Sequence, residues 1–508
     1  MIMATATMSV NLTPNLVASF TSGNRPWNHS FNTNTATIGY NGATVLAWKQ
    51  RLKFICGTFQ RRRPRFECRA SVDENDNDQE GRDLDDSSQK ASPSVDSDKN
   101  TVVNIEMEQD EIDASKVTSG SPLPGVKPPS EPVKIPKATL DILRDQVFGF
   151  DTFFVTGQEP YEGGVLFKGN LRGEATNSYA KLTKRLQERF GEQYKLYLLV
   201  NPEDDRPIAV VVPKESLQAE PTAVPEWFAA SAFGLVTVFT ILLRNAPALQ
   251  LNLLSSFGNI GLLEEGLPGA LITVAILGAH EIGHILVARK VGADLGVPYF
   301  VPSWQIGSFG AITRIKNALS NRKDLLQFAA AGPLAGFSLA FAILLAGFIL
   351  PPSNGQEVIV DASVFHDSFL VGGIAKLILG DVLKEGTKVA VNPLVTWAWS
   401  GLLINALNSI PAGELDGGRI SLALWGRKVW SRLTAASIAL LGFSALFNDV
   451  AFYWVVLIVF LQRGPISPQL EEISQPDNKG FFLGITVLVL GLLICLPFPF
   501  PFVSDNML

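Results

Sequence analysis

Residues 280–284 read His280-Glu281-Ile282-Gly283-His284, the pattern H-E-x-x-H, inside an apolar stretch at 267–288. Two histidines four apart on a helix lie on one face, one turn apart, and can bind a single zinc ion. The glutamate between them stands beside the metal, where it can take a proton from a bound water. A catalytic zinc needs a third protein ligand and an open position. The segment at 408–419, Asn408-Ser409-Ile410-Pro411-Ala412-Gly413-Glu414-Leu415-Asp416-Gly417-Gly418-Arg419, offers Asp416 as that ligand, with Glu414 as a rival. Pro411 stops a helix, and Gly417-Gly418 let the backbone turn the aspartate inward. An Asp-Gly pair often marks only a turn, and a membrane histidine can be a packing residue. Two histidines, a glutamate and an aspartate near one membrane face are poorly explained that way, because ionisable groups at such depth are usually functional.

The elements that must position these residues are apolar helices. Seven stretches are apolar enough to be spans: 227–243, 267–288, 326–350, 393–410, 433–447, 450–461 and 481–496, with six or eight as alternatives. Residues 369–379 are apolar but too short to cross. Basic residues collect after the second span (Arg289, Lys290, Arg314, Lys316, Arg322, Lys323) and after the fourth (Arg419, Arg427, Lys428, Arg432). The loop after the first span holds Arg244 against Glu264 and Glu265, whereas Lys376, Lys384 and Lys388 after the third weaken the contrast. By the positive-inside rule both basic loops and the N-terminal region share one side, and Asp416 falls on the same side as the histidines. Small residues at 331–336 (Ala331-Gly332-Pro333-Leu334-Ala335-Gly336) suit close helix packing.

The chain has 508 residues, 18% of them charged and 47% hydrophobic, split into a polar first part and a very apolar second part. The net charge of −6 gives no reason to expect nucleic acid as a partner, and Cys56, Cys68 and Cys495 form neither a metal-spaced set nor a disulfide framework. The first 66 residues lack Asp and Glu and end in the basic run Arg61-Arg62-Arg63-Pro64-Arg65, which reads as a chloroplast transit peptide processed near Cys68-Arg69-Ala70. An ordinary basic terminus is the alternative. The expected domains are the transit peptide at 1–68, a disordered acidic and proline-rich segment at 69–136, a soluble α+β domain at 137–222 and a transmembrane domain at 223–508. Within the soluble domain, helices are expected at 139–146 and 178–190, where Tyr179, Leu182, Leu186 and Phe190 have helical spacing. Strands are expected at 147–156, 164–168, 194–200 and 208–212. The expected fold is thus a polytopic α-helical membrane protein of about seven spans with a small N-terminal α+β domain and a disordered N-terminus. His366 is read as structural.

His280 to His284 followed by Asn408, Pro411, Asp416 and Gly417 resembles the N-x-x-P-x-x-x-x-D-G arrangement of the site-2 protease family of intramembrane zinc metalloproteases. Gly169-Asn170-Leu171-Arg172-Gly173-Glu174 further resembles that family's plant chloroplast branch, and within it the second member. One relative in the branch lacks the zinc motif, which this chain keeps. The resemblance implies one zinc per subunit held by His280, His284 and Asp416, with Glu281 as general base and later proton donor to the leaving amine. It implies that Asn408 orients the substrate or a loop, and that residues 292–315 supply an edge strand beside an unwound substrate, a mere interfacial loop being the alternative. The implied partners are membrane-anchored protein substrates and the lipid bilayer, in the thylakoid or inner envelope, with the site facing the stroma. Two other readings stay open. One is a catalytically silent scaffold or chaperone. The other is a metal transporter, disfavoured because the ionisable cluster is confined to one face.

Overall fold

The histidine-bearing stretch forms one helix of 25 residues, Leu267–Val291, in a computed structural model that describes residues 135–502 apart from 162, 202, 218–224, 247–260, 352–356, 448 and 462–465. The expected transit peptide and nearly all of the acidic, proline-rich segment lie outside the described residues.

The small sheet module opens with helix α1 (Lys137–Ile142), continued by a wider turn over Leu143–Val147. Strands β1 (Phe153–Tyr161), β2 (Gly164–Leu171), β3 (Tyr194–Val200) and β4 (Pro207–Pro213) form an antiparallel sheet in the order β1-β2-β4-β3, and α2 (Ala175–Phe190) joins β2 to β3. The run expected as a strand at 147–156 instead ends the first helix at Val147 and starts β1 only at Phe153. The intervening turn, with Phe153 N–H donating to Gly149 O, lets Phe148 and Phe153 both enter the core, which a continuous strand would place on opposite faces. Strand β1 is an edge, so it accommodates Pro160. Strands β3 and β4 are apolar on both faces because both are covered. One face packs under Leu143, Leu182 and Leu186, while Tyr197, Leu199 and Val210 pack with Ala318 and Leu470 of the apolar half. Burial there pushes the Tyr197 hydroxyl up to about 12.

A strap at 466–474 joins the module to the helices. The N–H of Leu198 donates to Leu470 O, and that of Glu472 to Leu198 O, while the Leu470 and Glu471 N–H groups donate to Leu319 O and Ser320 O. Arg427 grips Glu472 with two parallel hydrogen bonds of 2.8 and 2.7 Å.

Among the described residues, four helices are long and apolar enough to cross a membrane: α3 (Glu226–Asn245), α4 (Leu267–Val291), α5 (Arg322–Ile349) and α10 (Asn478–Cys495). The other expected spans are helical but differ in form. Helix α7 (Pro393–Asn408) has 16 residues, bounded by Asn392, which accepts the Leu394 N–H, and by the turn before Asp416; much of it is buried in the core. Helix α8 (Asp416–Ser444) begins well before the expected span at 433–447 and is bent at Gly426, whose φ is 80°. Helix α9 (Asp449–Leu461) has 13 residues. The apolar stretch at 369–379 is α6 (Phe369–Leu379), flanked by the short pair β7 (Val358–Asp361) and β8 (Lys388–Val391). His366 ties this region to the C-terminal segment: its Nδ1 lies 2.9 Å from Phe498 O and its Nε2 3.0 Å from Glu385 Oε1. Glu385 accepts the Phe502 N–H, and this bond with that of His366 holds its carboxyl below the usual range. Between α4 and α5, β5 (Tyr299–Ser303) and β6 (Gly307–Ile312) form a hairpin packed on α3, where Thr237 and Thr240 donate to Phe300 O and Gly307 O.

Candidate metal centre

Helix α4 turns its two faces to different surroundings. His280, Glu281 and His284 are 6%, 8% and 3% exposed, while Ile282 and Leu286 on the other side are 56% and 60% exposed. That outer face has the apolar surface a helix presents to lipid, and the polar face meets α5, α7 and α8.

The bundle brings His280, His284 and Asp416 together, their ligand atoms all within 4.8 Å of one another. Asp416 Oδ2 lies 3.1 Å from His280 Nε2 and its Oδ1 3.3 Å from His284 Nε2; the two Nε2 atoms are 3.1 Å apart. Outer partners fix the state of both rings. His284 Nδ1 is 3.0 Å from Phe328 O, an acceptor only, so Nδ1 carries the proton. His280 Nδ1 is 2.8 Å from Asn405 Oδ1, and Asn405 spends its own Nδ2–H on Gly401 O, which turns its oxygen to the imidazole. With both imidazoles neutral, as metal ligands must be, their Nε2 lone pairs point at one another and at a carboxylate. Three such acceptors suit a cation held between them. Ligands about 2.0–2.1 Å from a tetrahedral zinc stand about 3.3 Å apart, so this donor set fits that ion. Replacing Asn405 with leucine is expected to free the His280 ring and weaken zinc binding by about 10- to 100-fold, measured by competition with a chelator of known affinity.

Close approach depends on glycine. A Cβ on Gly332 of α5 would lie 2.2 Å from His284 Nε2 and 2.8 Å from His280 Nε2; one on Gly336 would lie 2.1 Å from Asn405 Oδ1. The small residues at 331–336 thus do more than bring helices close: they leave room for the imidazoles. Gly417 and Gly418 also act by contact rather than by unusual dihedrals, since a Cβ on either would lie 2.0 and 2.1 Å from Ser409 O and Gly413 O. The inward turn of Asp416 comes from the loop before it, where Gly413 has φ 53° and Leu415 leads into α8.

Glu281, His284, Ala311, Ile312, Thr313, Asn408, Glu414, Asp416 and Arg419 are among the residues lining a cleft of about 300 Å³. Asn408 donates its Nδ2–H to Phe309 O and Ile404 O, both at 2.9 Å, tying α7 to the hairpin. Gly310, with φ 100°, makes room for it. Glu414 lines the cleft without joining the three-residue cluster. Sequence alone leaves Thr313 unmarked, but Asn405 carries a signal: it is an amide three residues before Asn408 in an apolar run.

Fold and site together define a membrane-embedded metallopeptidase, and the comparisons agree. The profile described as Peptidase family M50 matches residues 268–447, and that described as EGY3 middle domain matches 141–221. The chain is 69% identical over 395 residues to the probable zinc metalloprotease EGY2, chloroplastic, of Oryza sativa subsp. japonica, covering 78% of this chain and 72% of that protein. It is 62% identical over 425 residues to the Arabidopsis thaliana protein of the same name, covering 78% and 76%. The Arabidopsis thaliana probable zinc metalloprotease EGY1, chloroplastic, is 28% identical over 403 residues, covering 72% of each chain. No solved structure matches. The chain belongs to the M50 peptidase family. It is a zinc metalloprotease of chloroplast membranes, with zinc as its metal.

Proposed function

We propose that this protease cuts a peptide bond within the membrane-spanning segment of another protein, with His280, His284 and Asp416 holding one zinc ion and Glu281 as general base. The observation that carries the reading is the cluster of two Nε2 lone pairs and a carboxylate beside Glu281, at the inner face of a helix whose outer face is apolar. When bound, zinc polarises the scissile carbonyl and makes water a nucleophile at neutral pH. Glu281 takes the proton of the attacking water, whose hydroxide adds to the carbonyl carbon. As the carbon–nitrogen bond breaks, the same carboxyl returns that proton to the amine. Asn408 holds β6 so that its free edge faces an unwound substrate, which pairs with it as an added strand.

In this reading the leader at 1–68 directs the chain to the plastid. Helices α7 and α9 and the second half of α8 complete a set of seven crossings, and the cleft opens to the stroma beside the soluble module, which selects or docks substrates. The test uses the full-length protein in proteoliposomes with a single-span probe protein carrying a Gly-Pro pair in its apolar segment. Cleavage within that segment, stopped by a chelator and restored by zinc, is the expected result. Cleavage only in the flanking soluble parts, or cleavage indifferent to the chelator, rejects the proposal. Single-span proteins that accumulate in membranes carrying Glu281→Gln then identify the natural substrates.

A further inference from the structure

Three segments far apart in sequence meet behind the carboxylate of Glu281. Thr313, just past the end of β6, donates its hydroxyl to Glu281 Oε2 at 2.9 Å. Arg419, in the first turn of α8, donates its Nη2–H to the carbonyl of the same threonine at 2.9 Å. All three side chains are buried, and all three line the cleft. The guanidinium also lies over the Phe328 ring, 5.7 Å from its centre, on the residue whose carbonyl accepts from His284.

We propose that Thr313 is the positioning residue for the general base and that Arg419 is the brace that holds Thr313. The proposal rests on the reading of Glu281 as that base. A glutamate side chain has three torsions, and its terminal carboxylate rotates over a broad range, so the helix alone does not orient it. The threonine hydroxyl occupies one carboxylate oxygen and leaves the other to meet the water. Because Thr313 directly follows the strand that borders the cleft, its placement also ties the base to the edge where the substrate lies. Arg419 is suited to this brace. Its planar fork donates to Thr313 O while another nitrogen, Nη1, stands 3.9 Å from Asp416 Oδ1, so one side chain links the threonine that holds the base to the carboxylate of the metal cluster. Lysine offers a single point of charge and cannot keep both directions.

The test compares Thr313→Val and Thr313→Ser in the full-length protein, with the single-span Gly-Pro probe. Valine keeps the shape and removes the donor; serine keeps the donor. Thr313→Val is expected to lower kcat by about 10- to 100-fold, with KM and zinc content unchanged, and Thr313→Ser to recover within about threefold of the parent. Arg419→Lys is expected to lower kcat by a similar factor with zinc retained. A valine variant with the parent's kcat overturns the proposal. So does a serine variant as slow as the valine one, or loss of zinc in the valine variant, which would make Thr313 a support of the metal site. Activity of Glu281→Gln at the parent's level would instead overturn the assignment of the base, so the two failures are distinguishable.

Discussion

Glu281→Gln is expected to lower kcat by about 10²- to 10⁴-fold while leaving KM and zinc content where they are. Glutamine has the same shape, and its amide oxygen still accepts the Thr313 hydroxyl, so the buried neighbourhood keeps its hydrogen bond. None of His280, His284 and Asp416 loses a hydrogen-bond or ion-pair partner, because theirs are one another, Asn405, Phe328 O and Arg419. What disappears is the capacity to take a proton from water and return it to an amine. Asp416→Ala removes the carboxylate between two lone pairs and is expected to lose the metal itself. Zinc analysis of the two purified variants beside turnover of the single-span probe separates these effects. A glutamine variant that cleaves at the parent's rate removes Glu281 from the chemistry, whereas a parent protein that leaves the probe uncut would read as an inactive scaffold.

Much of this geometry is legible in the sequence because it depends on period and order. Spacing four apart on an apolar helix puts both histidines on one face, and alternation of spans puts Asp416 on their side, so the meeting of segments 132 residues apart follows without any contact being known. What closes around them is less legible. The acceptor that sets the His284 tautomer is the main-chain oxygen of Phe328, which any residue type would supply. Thr313 is one hydroxyl in a loop, and nothing in its neighbours marks it as aimed at a carboxylate 32 positions away. Helix lengths were legible only in part. A span recognised by hydropathy says nothing of a helix such as α7, which is buried by its neighbours and can be short. The strand at β1 moved for a related reason: two phenylalanines five apart both reach the core through a turn, and period alone places them on opposite faces.

Gly332→Ala is the substitution expected to be most damaging for its size. The added methyl would stand 2.2 Å from His284 Nε2, 2.5 Å from its Cδ2 and 2.8 Å from His280 Nε2, all inside any real contact distance. Relief by rotating the rings breaks the hydrogen bonds of Nδ1 to Phe328 O and Asn405 Oδ1. Relief by moving α5 displaces Phe328 too, since it lies one turn earlier on the same helix, and so draws the acceptor away from His284. Either route spoils the direction of the Nε2 lone pairs, and zinc affinity is expected to fall by at least about 100-fold, with a packing cost of about 1–3 kcal/mol. Gly278→Ala is the control. It lies on α4, meets nothing within 4 Å, and gains about 1 kcal/mol of helix propensity. Zinc titration and thermal unfolding of both variants decide the matter. Full zinc affinity in Gly332→Ala would mean that the imidazoles can retreat from α5 without losing their lone-pair directions, and that the glycine is not what makes room for the metal.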